Sequence, residues 1–421
     1  MEGLEMNSKV FPVLFALFFL FYVQYALGNP ITAEQAESAV RGWLRLCDTP
    51  LLSKIGSEIA TAVPFNDLSG MPLYYAVQLK PSGFVIVSAD DSIEPIIAFG
   101  ENSNYSCSTK SPFYDLLAND LSNRLSAIYL LETGGAKGDD KVLLSSVILE
   151  AQNKWNYLLA ASQSDFAMPL GLTTIDDVRV PPLVQSKWDQ RNVCSPAVAC
   201  YNYYTPKWEN STANYPCGCV ATAMSQFMRY HQFPIAPIYT GTIRITVDNV
   251  PEFRSIRGGD GSGGPYQWTE MVLEPHNSCG TLTQNQRKAI GTLTHDAGVS
   301  VQTAYTSTYS GANTASAAWA FIEVFGYNNA KWGANNTNNI GPGLNGMIIP
   351  NLDMLNPVIL GVDGAPGGHA VVCDGYGYNA GTLYYHINLG WSGDDDAWYN
   401  LPTIETHLGA FNSVHTCVYN V

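Results

Sequence analysis

Apolar and polar positions follow two different rhythms in the first part of the chain. From Ile31 to Leu44 the apolar residues recur at helical spacing, with Thr32 placed as an N-cap and Gln35 three residues on, so an amphipathic helix is expected. Leu73–Leu79 and Gly83–Ala89 are short, β-rich and separated by the turn Lys80-Pro-Ser-Gly, which predicts two strands; Ile93–Phe99 continues as a third. The helical period returns over Pro112–Leu131, breaks at the Gly-rich run 134–140, and resumes over Lys141–Ala161. Ser162–Arg179 is polar, holds Pro and Gly, and reads as an exposed linker.

From about residue 178 the texture changes. Gly, Tyr, Trp, Asn and Pro become frequent and helical patterns sparse, with Arg287–Gly298 and Ala315–Phe325 the clear ones. After Met354 short β-runs dominate: Pro357–Gly361, His369–Cys373 and Thr382–Asn388. This predicts an α+β chain of three parts: residues 1–28, 29–175 and 176–421.

The first part is a run from Val10 to Leu27 that is apolar and almost uncharged, followed by the small residue Gly28. That is a signal-peptide pattern, with an uncleaved signal anchor as the competing reading. No later stretch is long and apolar enough to span a bilayer, so no stable membrane association is expected once the signal is removed, and the product is expected outside the cell. The formal net charge is −15, from 36 acidic and 21 basic residues, and Lys and Arg form no cluster, which argues against nucleic acid as a partner. Nine cysteines are an odd number, so at least one thiol is free or paired between chains.

The thiol that stands out is Cys219. Pro216 and Gly218 sit poorly inside a helix and mark an approach; from Val220 the residues are good helix formers, with an apolar face at Val220, Met224, Phe227 and Met228 and Pro234 just beyond the end. A thiol in the first turn of a helix lies at the positive end of the macrodipole, which favours the thiolate. A cysteine nucleophile needs a base and an orienter. His369 opens an apolar strand after a Gly pair, and Asn388 ends the next one. Folding the two as a hairpin about Asn379 places His369 beside Asn388, give or take one residue, so the Asn oxygen would fix the imidazole tautomer and Trp391 would shield the pair. Gln190, upstream of Cys219, is a candidate amide donor for an oxyanion hole. Taken alone, His369 could equally be a strand histidine bonded to a backbone carbonyl, and Cys219 a buried or disulfide-bonded residue. Cys217, two residues before Cys219, could be a spectator, a disulfide partner or a redox switch. Cys217 and Cys219 lack zinc-pair spacing, and no metal or cofactor is expected. Asp394–Asp396 reads as a solvated turn, and Gly259–Gly264 only superficially resembles a serine-peptidase motif.

The stretches Lys187–Gln190, Cys219–Pro234, Tyr266–Met271, Gly368–Tyr376 and His386–Gly393, together with Tyr74–Gln78 and Gly83–Asp91, resemble the streptopain-type secreted cysteine peptidases. The resemblance covers nearly all of the chain after residue 28. It implies a papain-like peptidase domain, a helical half plus an antiparallel β half, preceded by a small α+β pro-domain. It further implies an endopeptidase made as a zymogen, with protein or peptide substrates and the pro-domain as intramolecular inhibitor. Position by position, the family's nucleophile falls on Cys219, its base on His369, its oxyanion glutamine on Gln190 and its Asn on Asn388. Leu389 stands where the family often has Trp, leaving Trp391 as the candidate indole. An acyltransferase on the same fold and a non-catalytic binding or inhibitor protein are the alternatives.

Overall fold

The computed structural model describes residues 28–67, 69–101, 105, 111–163, 175–208, 210–334, 343–362, 368–401, 405–406, 409–410 and 413–421. The expected signal segment lies outside these residues, apart from Gly28.

The N-terminal region opens on α1 (Ala33–Leu46), started by the expected capping box: the Thr32 hydroxyl accepts from Gln35 N at 3.2 Å, and Gln35 Oε1 accepts from Thr32 N at 2.9 Å. Four antiparallel strands follow in meander order, β1 (Glu58–Asn66), β2 (Pro72–Lys80), β3 (Phe84–Ser88) and β4 (Ile96–Gly100). Two long helices complete the region, α2 (Pro112–Glu132) and α3 (Gly138–Ala161). Strand β2 is buried on both faces, so it shows a nearly continuous apolar run rather than alternation. Its period of two sorts the side chains instead: Tyr74 and Ala76 join Leu116 and Leu117 of α2, while Tyr75, Val77 and Leu79 join Trp43 of α1 and Trp155 of α3.

The expected linker holds one more element. Asp176–Val180 forms β5, antiparallel to the far end of the long strand β10 (His369–Asn379), with Val180 opposite Tyr376 and Asp176 opposite Asn379. A five-residue edge strand of this composition carries no pattern that separates it from a polar linker; its partner lies two hundred residues away. Residues 164–174 lie outside the described ones.

In the C-terminal region α4 (Cys219–His231) is central, with Val220, Met224, Phe227 and Met228 almost wholly buried. Burial of each such side chain is worth about 1.5–3 kcal/mol, so tertiary packing rather than propensity holds this helix. Beyond it come the hairpin β6 (Thr242–Val247) and β7 (Val250–Ser255), α5 (Gln284–Ser300), α6 (Ser316–Glu323), β8 (Lys331–Ala334) and α7 (Leu344–Asp353). The β half is β9 (Val358–Val362), β10, β11 (Thr382–Asn388), β12 (Ala397–Tyr399) and β13 (Val414–Tyr419). Ala370 and Val372 of β10 face the cluster built on α4 and α5, and Val371 and Cys373 face α7, which makes β10 the wall between the two halves. The disulfide Cys194–Cys279 closes a loop of 85 residues in sequence separation around the helical half.

The two regions share one sheet of 11 strands. The junction is β4 against β12, with Phe99 opposite Trp398 and Ala98 opposite Tyr399. Polar side chains lock it. Trp43 Nε1 donates to Asn379 Oδ1 at 2.7 Å. The buried pair Arg124–Asp120 of α2 engages Tyr399 and Asn400, where the Tyr399 hydroxyl donates to Asp120 and Arg124 Nη1 donates to Asn400 Oδ1 at 3.1 Å.

Candidate active site

The approach to α4 is set by Gly218, with φ 95° and a built Cβ only 2.9 Å from Ser310 O. Only glycine fits a left-handed residue pressed against another backbone, and it turns the chain so that Cys219 enters the first helical turn. Upstream, Cys217 N donates to Gln190 O at 2.9 Å, which ties the Gln190 segment to the same loop and leaves the Gln190 side chain half-buried beside it.

His369 faces Cys219 from the start of β10. Burial opposes ionisation of the Cys219 thiol, but the charge and hydrogen bond of His369, with the Ala370 and Val220 N–H groups, hold it below the ordinary thiol value. Burial likewise disfavours the His369 imidazolium, and the Cys219 thiolate outweighs it, holding His369 above the ordinary imidazole value. Each partner thus shifts the other toward the thiolate–imidazolium pair.

Asn388 does not orient His369 directly. In the β10–β11 ladder Asn388 stands opposite Val372, because the hairpin turns at Ala380–Gly381, with Asn379 already paired to Thr382, rather than about Asn379; the bulge between Cys373 and Gly375 recovers only one residue, and residues 369–371 run past the end of β11. His369 Nε2 instead donates to the Leu389 carbonyl at 2.8 Å, leaving Nδ1 for the thiol. Asn388 acts one peptide away: its Oδ1 accepts from Gly390 N at 3.0 Å and from Gln226 Nε2 at 2.9 Å, and its Nδ2 donates to Ser186 O at 3.0 Å. The Leu389 carbonyl belongs to the same peptide as Gly390 N, so Asn388 steadies the group that holds His369. Leu389, which stands where the family often has Trp, is buried, and Trp391 is half-buried.

Three features escaped the sequence reading. Gln226, wholly buried on α4, joins Asn388 to the Ser186–Trp188 segment by accepting from Trp188 N at 3.1 Å. Its place on the polar side of an apolar helix was the available signal. Tyr309 flanks the site closely enough for Cys219 to raise its hydroxyl above the usual value, after burial. Of the expected solvated turn Asp394–Asp396 only Asp394 is exposed: Asp395 is buried and accepts from Ser111 Oγ at 2.6 Å, and the half-buried Asp396 accepts from Leu389 N at 2.8 Å.

Cys217 is not disulfide-bonded. It is a buried free thiol 3.3 Å from Thr222 Oγ1, and burial pushes it up to about 12. Among the described residues no group of His, Cys, Asp and Glu could hold a metal ion, and no helix is long and apolar enough to cross a membrane.

Comparison with known proteins finds relatives in sequence and in structure. Residues 195–399 match the Peptidase C10 family and residues 28–125 match the Spi protease inhibitor family. Streptopain of Streptococcus pyogenes is 24% identical over 413 residues, covering 94% of this chain and 90% of that protein. The thiol protease/hemagglutinin PrtT of Porphyromonas gingivalis is 32% identical over 177 residues, 42% of this chain but 19% of that protein. The structure of a prointerpain A fragment from Prevotella intermedia superposes with a TM-score of 0.56 at 22% identity, covering 86% of this chain and 98% of that one, which shows the shared papain-like fold. Residues 195–399 thus carry the Peptidase C10 match of a cysteine endopeptidase, made as a zymogen with a Spi-inhibitor-like N-terminal pro-domain.

Proposed function

We propose that Cys219 is the nucleophile and His369 the general base and acid of this peptidase, with Gln190 in the oxyanion hole and Asn388 supporting the base through the Leu389–Gly390 peptide. The observation that carries the assignment is a thiol in the first turn of α4 facing an imidazole whose other nitrogen is already held by a carbonyl. The thiolate attacks the peptide carbonyl carbon, forming the C–S bond and an oxyanion. Helical N-terminal N–H groups have no intrahelical acceptor, so Cys219 N–H, with the Gln190 amide, is available to receive that charge. Collapse expels the amine, which takes its proton from His369. Neutral His369 then deprotonates water for attack on the thioester, and the thiolate leaves.

Residues 29–175 serve as the pro-domain and 176–421 as the peptidase domain. The pro-domain reaches the site: Asp115, in the first turn of α2, contributes to the raised proton affinity of His369. That proximity, and the continuous sheet, support inhibition in cis. The apolar run Val10–Leu27 supports secretion with removal of residues 1–28, and the acidic, unclustered charge supports protein or peptide rather than nucleic acid as substrate.

Intact-mass measurement of the secreted protein beside a Cys219→Ser variant tests the assignment. The wild type is expected to lose both signal and pro-domain, and the variant the signal alone. Self-cleavage retained by the variant would move the nucleophile elsewhere.

A further inference from the structure

We infer that Asp396 is a positioning residue for the base: it fixes Leu389, the residue whose carbonyl holds His369. The inference rests on the Cys219–His369 assignment proposed above. Leu389 is clamped on both sides. Its N–H donates to Asp396 Oδ1 at 2.8 Å, and the next N–H, that of Gly390, donates to Asn388 Oδ1 at 3.0 Å. Between these two bonds the Leu389 carbonyl is aimed at His369 Nε2, 2.8 Å away. Gly390 has φ 68°, and a built Cβ would lie 3.0 Å from Thr222 of α4, so this peptide is wedged against the nucleophile's own helix. An ionised carboxylate is a stronger acceptor for a backbone N–H than a neutral amide.

The charges around Asp396 come from several elements. His386 of β11 attracts it, and is itself held by Asp374 of β10 through a 2.7 Å contact at Nδ1. Lys187 attracts it from the Ser186–Trp188 segment, and Asp374 repels it. Glu101 acts on His386 from the pro-domain side. Asp396 and His386 line a cavity of about 260 Å³ between the two domains, walled by Gly100 and Glu101 on one side and Lys187 and Trp398 on the other. Burial pushes the Asp396 carboxyl up to about 7, with His386 opposing. Removal of the pro-domain takes away one wall of this cavity, so the role is best read in the processed enzyme.

The test uses Asp396→Ala and Asp396→Asn in the full chain, processed in trans by a trace of wild-type enzyme. Asn keeps an oxygen acceptor for Leu389 N–H. The Ala variant is expected to lose about tenfold or more in kcat with KM within about twofold, and Asn to stay within about threefold of wild type. Without a fixed acceptor for Nε2–H the imidazolium is less stable, so the alkaline limb of kcat/KM, where His369 loses its proton, is expected to move down by about one pH unit in the Ala variant, and by less in the Asn variant. Three results overturn the inference: kcat of the Ala variant within twofold of wild type, an unchanged alkaline limb of kcat/KM despite lost activity, or no rescue by Asn. If the Ala variant does not fold, an unchanged limb in the Asn variant overturns it, and a lowered limb supports it. Activity retained by Cys219→Ser would instead overturn the underlying assignment, whatever the Asp396 variants do.

Discussion

Cys217 and Cys219 lie on one loop, two residues apart, and both are buried, yet their surroundings drive the thiols in opposite directions. The Cys217 pocket offers a Thr222 hydroxyl and little else, so desolvation wins and the thiol stays protonated. The Cys219 pocket suffers the same desolvation but adds an imidazole, two N–H groups and the start of a helix, so the thiolate wins. Burial alone therefore does not decide reactivity. It amplifies whatever partner is present, because in a poorly solvated site an unopposed charge is costly and a paired one is strongly held.

The largest expected effect tests the reactive half of this contrast. Cys219→Ser is expected to reduce peptide hydrolysis by about 10⁴-fold or more and to leave the melting temperature nearly unchanged, as a progress-curve assay and thermal denaturation would report. Activity within tenfold of wild type would break the comparison at its root. His369→Ala comes next, with a loss of about 10³-fold in kcat. Its Cys219 thiol should lose its early ionisation and behave more like Cys217, so alkylation near neutral pH should slow sharply. Equal alkylation rates with and without His369 would assign the thiolate to the helix end alone.

Asn388→Ala is expected to cost about 2–4 kcal/mol of stability, because it strands Gln226 Nε2, Gly390 N and the Ser186 carbonyl, and about tenfold in kcat. A loss as large as that of His369→Ala would mean that Asn388 touches the base directly in the working enzyme. Cys217→Ala sharpens the inert half. It should keep activity within about threefold and lose about 1 kcal/mol by denaturant titration, the cost of a small buried void. A hundredfold loss of activity would give Cys217 a part in the chemistry.

The pH dependence follows from the two shifts. Cys219 is held low and His369 high, so the ion pair exists above the folded-state value of the thiol and below that of the imidazole. Activity is expected to rise on the acid side as Cys219 ionises, to hold across neutrality, and to fall on the alkaline side as His369 loses its proton.

Much of this was legible in the chain. The capping box at Thr32 and Gln35, the apolar face of α4 and the turn after Pro216 are local signals, and local geometry realises them. The pairing of Cys219 with His369 joins two local features across the fold, and each was visible by itself. What was not legible depends on events without a periodic signature. The bulge between Cys373 and Gly375 shifts register, and no pattern of apolar residues marks it. The hairpin also turns at Ala380–Gly381 rather than about Asn379, which separates Asn388 from His369 and leaves the Leu389 carbonyl in the place expected for the amide. The strand Asp176–Val180 and the β4–β12 junction depend on partners hundreds of residues away. Asp396 looked solvated because an acidic turn usually is; here it is half-buried, lining a cavity between its own domain and the pro-domain.

The most direct measurement is the rate of iodoacetamide alkylation across pH, resolved by peptide mapping into Cys217 and Cys219, on processed enzyme under conditions that keep the Cys194–Cys279 disulfide. The account predicts modification of Cys219 at pH values below those at which an ordinary thiol reacts, dependent on His369, while Cys217 stays unmodified until the protein unfolds. Modification of Cys217 at a matching rate, or of Cys219 only above about pH 8.5 as for an ordinary thiol, would contradict it.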